Sequence, residues 1–146
     1  MNLLTLPKTI QDAIQTMIFL TLNAKSKTSV NIISKKCNIS KTYLAKIVQQ
    51  LSNNNLIKTT TGRYGGIELA KDPKEIKITD IAISIRKNND KDMCIIGIDE
   101  CNDKVHCPIH PSWKVIKEKI YYELSNRNLF DLTTEMKKKF NYKEID

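Results

Sequence analysis

The chain has 146 residues, a formal net charge of +8 at pH 7 and an isoelectric point near 9.3. That length holds one domain, or a small domain with a dimerisation element, and excludes a second catalytic domain. The positive balance favours a polyanionic partner and reads as the electrostatic footprint of nucleic acid.

The N-terminus, M-N-L-L-T-L-P-K-T-I-Q-D, lacks a basic start followed by an apolar core and a cleavage site, so no signal peptide is expected. The longest apolar run, Met17 to Leu22, is too short for a membrane span, which needs roughly 20 residues. A cytoplasmic protein with no membrane partner is expected, in a compartment where thiols persist and structural disulfides are rare.

Ile10, Ala13, Ile14, Met17, Ile18 and Leu22 recur at helical spacing and predict an amphipathic first helix. After a polar connection, Val30 to Cys37 predicts a short second helix, and Asn38-Ile39-Ser40 a turn with Ser40 as N-cap of the next. The third helix, from Lys41 to about Asn53, has an inner stripe of Leu44, Ile47, Val48 and Leu51 and turns Lys41, Thr42, Ala45, Lys46 and Gln49 outward. Two short helices around a tight turn form either a plain helical hairpin or a helix-turn-helix whose second helix enters the major groove.

The next segment, Leu56 to Leu69, alternates around Gly62-Arg63-Tyr64-Gly65-Gly66 and predicts a β-hairpin. A hairpin directly after a helix-turn-helix is a wing, and Arg63 at its tip can reach a minor groove or a phosphate. A fourth helix from Thr79 to Ile85 packs back on this unit.

Cys94, Cys101 and Cys107 fall within fourteen residues, and His110 follows three positions later. Thiolates and imidazole suit an iron-sulfur cluster, as a full set for 2Fe-2S or three ligands of 4Fe-4S. Zinc takes the same ligands, but the spacings lack the C-x-x-C pairs of zinc knuckles. The three thiols could instead form a metal-free redox switch. Cys37 reads as a small buried hydrophobe, and His106 as a solvated loop residue.

Pro111-Ser112-Trp113 opens a long helix with Trp113, Val115, Ile116, Ile120, Tyr121 and Leu124 at its apolar positions. A small winged domain cannot cover that face, so a partner helix from a second chain is expected. Lys137-Lys138-Lys139 reads as a solvated basic end.

These pieces, in this order, resemble the Rrf-type winged-helix regulators of bacteria, the group of the IscR, NsrR and CymR relatives, and specifically their iron-sulfur-binding branch. The resemblance rests on Ala13-Ile14-Gln15-Thr16-Met17-Ile18-Phe19-Leu20, Ser40-Lys41-Thr42-Tyr43-Leu44, Gly62 to Ala70, Ile76 to Ile81 and Asn128-Leu129-Phe130-Asp131-Leu132. It implies a mainly α fold with a small β-hairpin: a winged helix-turn-helix domain over 1–86, a cysteine-containing sensor loop over 87–111, and a dimerisation helix with a C-terminal tail over 112–146. It implies a homodimer on a palindromic double-stranded operator, touched by Ser40, Lys41, Thr42, Tyr43, Ala45, Lys46 and Arg63. IscR-like members have an acid and an amide where this chain has Ala45 and Lys46, and the usual wing Arg is replaced by Thr61. The ligand set implied is Cys94, Cys101, Cys107 and His110, with 2Fe-2S ahead of 4Fe-4S. Asp12, beside Gln11 at the position of the NsrR-like carboxylate ligand, is the second choice for the fourth place.

The function expected is a non-enzymatic transcriptional regulator, a repressor, that senses nitric oxide, redox or iron-sulfur status. Loss of the cluster would shift the loop and long helix and so the two recognition helices. The alternatives are the same fold as a thiol switch and a cluster-carrying electron-transfer protein.

Overall fold

The structure is a computed structural model that describes residues 5–86, 94–97, 104 and 107–140, with the side chains of 138–140 excepted. It contains α1 (Lys8–Leu22), α2 (Val30–Cys37), α3 (Lys41–Asn53), β1 (Ile57–Thr60), β2 (Gly66–Leu69), α4 (Ile78–Ile85), α5 (His110–Ser125) and α6 (Leu129–Phe140). The fold is mainly α with a small β-hairpin, as the sequence pattern predicts.

α1 is the centre of the molecule. Ile10, Ala13, Met17, Ile18, Phe19 and Leu20 are all buried, more than one face of a surface helix would cover, because α2, α3, α4, α6 and β2 pack around it. α3 buries Leu44, Ile47, Val48 and Leu51, the same stripe that its period predicts. Removing one of these side chains to Ala costs about 2–5 kcal/mol in a core of this kind.

The hairpin is antiparallel, with Ile57 opposite Leu69 and Thr60 opposite Gly66. Its register is fixed by burial, since Ile57 and Ile67 face the core and a one-residue slip would expose both. Thr28, just before α2, exchanges both backbone hydrogen bonds with Ile67 (3.0 and 2.8 Å), which ties the wing to the helix-turn-helix. Gly65 is required at the turn: a Cβ there would lie 2.2 Å from the Thr60 carbonyl oxygen. Gly65→Ala is therefore expected to open the turn and destabilise the fold by about 1–3 kcal/mol, as overpacking does. Denaturant unfolding checks this, and an unchanged midpoint would mean that the turn is looser than described.

α4 opens with the Asp80 carboxylate accepting from the Lys77 backbone N–H at 2.9 Å. α5 packs on α4, and its half-buried Leu124 lies against the core. The segment 112–146, read from sequence as one helix and a tail, holds a further helix, α6, which folds back on α1. Its start is stitched to the stretch before α4: Ile78 N–H donates to Arg127 (3.1 Å), Leu129 N–H to Ile76 (2.8 Å) and Phe130 N–H to Pro73 (3.2 Å). The Lys74 ammonium sits 5.0 Å from the Phe130 ring centre, a cation–π contact on the same seam. Lys137, within α6, is exposed.

Candidate nucleic-acid interface and sensor segment

The turn between α2 and α3 is built by three residues. Asn38 takes the left-handed conformation (φ 54°) that an amide side chain tolerates, and Ile39 N–H bonds back to the Ser34 carbonyl at 3.0 Å. The Ile39 side chain is buried, which sets the angle of the turn. Ser40 then caps α3, its hydroxyl oxygen accepting from the Tyr43 N–H at 3.4 Å. Ser29 does the same for α2, accepting from Ile32 N–H at 3.3 Å.

Beyond the cap, Lys41, Thr42, Ala45, Lys46 and Gln49 are exposed on the side of α3 opposite its buried stripe. Tyr43 is half-buried against the core, so it holds the helix start in place. At the wing tip Arg63 is exposed, its guanidinium 5.8 Å from the centre of the Tyr64 ring. Tyr64 is itself 84% exposed. A large aromatic so bare beside an arginine is a further candidate for the interface that the sequence reading did not single out, although its place in the Gly-rich turn was the available signal. Lys25, Lys27, Lys35, Lys36 and Lys58 add exposed positive charge to α2, the turn before it and the wing. Lys27 is held by Thr60 Oγ1 (3.2 Å) and Glu68 (3.8 Å).

Of the cysteine-bearing segment, Cys94 begins a turn closed by Gly97 N–H on its carbonyl at 2.8 Å, with Gly97 at φ 75°. Cys107 is half-buried, and its carbonyl accepts from the His110 N–H at 3.0 Å at the start of α5. His110 is 6% exposed. Cys101 and His106 lie outside the described residues. The donors suit iron or zinc by chemistry, yet among the described residues no three His, Cys, Asp or Glu side chains come together as a metal site.

Cys37 and Asp12 form a separate pair. The Cys37 thiol is pushed up to about 11, first by burial and then by the Asp12 carboxylate, so it stays a neutral thiol at physiological pH. That fits its reading as a packed hydrophobe. Asp12 is buried within its own chain and paired with the Lys8 ammonium, while the neighbouring Gln11 amide donates to the Leu6 carbonyl at 2.6 Å. No described helix is long and apolar enough to cross a membrane.

A helix-turn-helix with an exposed polar stripe, followed by a wing tipped with Arg63, defines a winged-helix DNA-binding protein. A family model, Rrf2, described as an iron-dependent transcriptional regulator, matches residues 6–135. The chain belongs to the Rrf2 family of transcriptional regulators, which bind DNA. It is 28% identical over 126 residues to an HTH-type transcriptional regulator of Aquifex aeolicus, covering 85% of this chain and 88% of that one. It is also 38% identical over 77 residues to the HTH-type transcriptional regulator NsrR of Geobacillus kaustophilus, where the match spans 52% of each. In fold it is similar to IscR of T. potens (TM-score 0.74, 20% identity, 94% of this chain and 91% of that one) and to CymR, the global cysteine regulator of B. subtilis (TM-score 0.73, 24%, 90% and 98%). These names are those of transcriptional regulators, in line with the non-enzymatic reading.

Proposed function

We propose that the protein is a homodimeric regulator that binds a palindromic operator through α3 and the wing and senses redox, nitric oxide or iron-sulfur status at Cys94, Cys101, Cys107 and His110. The observation that carries the sensor half is the position of Cys107 and His110. They form one hydrogen-bonded turn at the N-terminal end of α5, so a change at the ligands acts directly on the helix that would join two subunits. A bound iron-sulfur cluster, 2Fe-2S before 4Fe-4S, would supply a redox- and nitric-oxide-reactive centre. The thiols would hold it as thiolates, and the buried His110 imidazole would complete the set from a fixed position. His110 is preferred to Asp12 as fourth ligand because it shares one hydrogen-bonded turn with Cys107.

A second reading, a metal-free thiol switch, is favoured by the half-exposed state of Cys107, which leaves a thiol open to oxidation. The two are separated by the visible absorption spectrum and the iron and sulfide content of protein purified without oxygen. Colour with iron and sulfide supports the cluster, and colourless protein free of both supports the switch.

For the DNA-binding half, Lys46→Ala should weaken a specific site by about 1–3 kcal/mol if Lys46 reads a base edge. Arg63→Ala should instead weaken all sequences alike and flatten the salt dependence if it meets phosphate. Fluorescence anisotropy against salt distinguishes them, and unchanged affinity in both variants would take this surface out of the interface.

A further inference from the structure

Thr42, Ala45, Lys46 and Gln49 are spaced i, i+3, i+4 and i+7, so the exposed face of α3 is one continuous stripe rather than a cluster at its first turn. From Thr42 to Gln49 the helix rises about 10 Å, which at about 3.4 Å per base pair covers roughly three base-pair steps. The chemistry along the stripe is uneven. Thr42 and Ala45 present methyl groups, Lys46 presents donors only, and Gln49 presents both an amide donor and an acceptor. α3, of sequence KTYLAKIVQQLSN, contains no carboxylate, so the acceptors along this stripe are the Thr42 hydroxyl and the Gln49 amide carbonyl. The neighbouring amide, Gln50, is half-buried, whereas Gln49 stands exposed on the stripe. The Gln49 side chain has no hydrogen-bond partner among the described residues.

We infer that Gln49 is a further base-reading residue and that α3 reads a half-site containing a thymine, a guanine and an adenine within about four consecutive base pairs. A thymine methyl packs on the Thr42 and Ala45 methyls. The guanine N7 and O6 acceptors match the Lys46 ammonium. The adenine N6–H2 donor and N7 acceptor match the carbonyl and amide of Gln49, a pairing that neither Lys nor a carboxylate can make. This inference rests on the reading of α3 as the recognition helix.

The test is selection of duplexes with randomised half-sites by the full-length protein, in wild-type, Gln49→Ala and Gln49→Lys forms. Wild type is expected to select an adenine close to a guanine. Gln49→Ala should lose that adenine preference and bind the selected site about tenfold more weakly, while a site lacking the adenine changes little. Gln49→Lys should move the preference at that base pair from adenine to guanine. Identical preferences in all three proteins, or uniform weakening on every sequence with a flatter salt dependence, would overturn the assignment while leaving α3 as the recognition helix. Failure of the wild type to select any sequence would overturn both.

Discussion

Cys107→Ala protein purified without oxygen is expected to be colourless and free of iron and sulfide, with an unfolding midpoint close to that of the wild type. The stability is preserved because Cys107 lies outside the core formed by α1 to α4 and α6, at a half-exposed turn. Cys94→Ala and Cys101→Ala should behave alike, since a cluster loses most of its binding energy with any one thiolate. Cys37→Ala is the control: its thiol stays neutral to about pH 11 and packs beside α1, so iron content should not change. His110→Ala gives the finer result, a cluster that is more labile or spectrally altered. Full iron and sulfide in Cys107→Ala would remove this segment from the metal site altogether. Bleaching the wild type with nitric oxide should then alter DNA affinity in the same direction as Cys107→Ala, because both lead to the cluster-free protein.

Such a test is needed because candidate ligands can be picked out in the chain by residue type, whereas their convergence cannot. Cys94, Cys101, Cys107 and His110 stand out by residue type, but whether they meet depends on how residues 87–109 fold, which no local pattern dictates. The helix-turn-helix was different. Leu44, Ile47, Val48 and Leu51 have one period and one face, and Ser40 has one use at that place, so local rules and packing agree. The wing was readable as far as the hairpin, because alternation and glycines are local signals. Its tie to Thr28 was not, being a single pair of hydrogen bonds across about 40 residues.

α6 was missed for another reason. Its tail, Lys137-Lys138-Lys139, looks like a solvated end and hid the apolar positions Leu129, Leu132 and Met136 before it. The signal was present in Asn128 and Asp131. Asn128 Oδ1 accepts from the Asp131 N–H at 2.8 Å, and the Asp131 carboxylate accepts from Asn128 Nδ2 at 2.9 Å, a reciprocal start of the kind that begins helices. With α6 on α1 and the α5–α6 junction stitched to residues 73–78, the C-terminal end of α5 is fixed to the DNA-binding unit while its N-terminal end bears Cys107 and His110.

Ile120→Glu is expected to convert the protein to a monomer and to abolish binding to a palindrome. Trp113 and Leu124 are half-buried against the rest of the chain, but Val115, Ile116, Ile120, Tyr121 and Tyr122 are 63, 41, 38, 58 and 65% exposed, so α5 has apolar surface that its own fold leaves uncovered. Covering an aliphatic side chain of that size contributes about 1.5–3 kcal/mol, and several together suffice for a stable helix pair. A two-fold axis makes the substitution count twice, placing two carboxylates in one seam. Each would have to leave water at a cost of several kcal/mol, and the like charges would repel. The same residue at a solvent-exposed site of a monomer would cost almost nothing, so folding should survive, which circular dichroism can verify. Sedimentation gives the decisive reading. A monomer with normal helicity and lost palindrome affinity places α5 in the interface, whereas an intact dimer would move the interface to another face of the molecule.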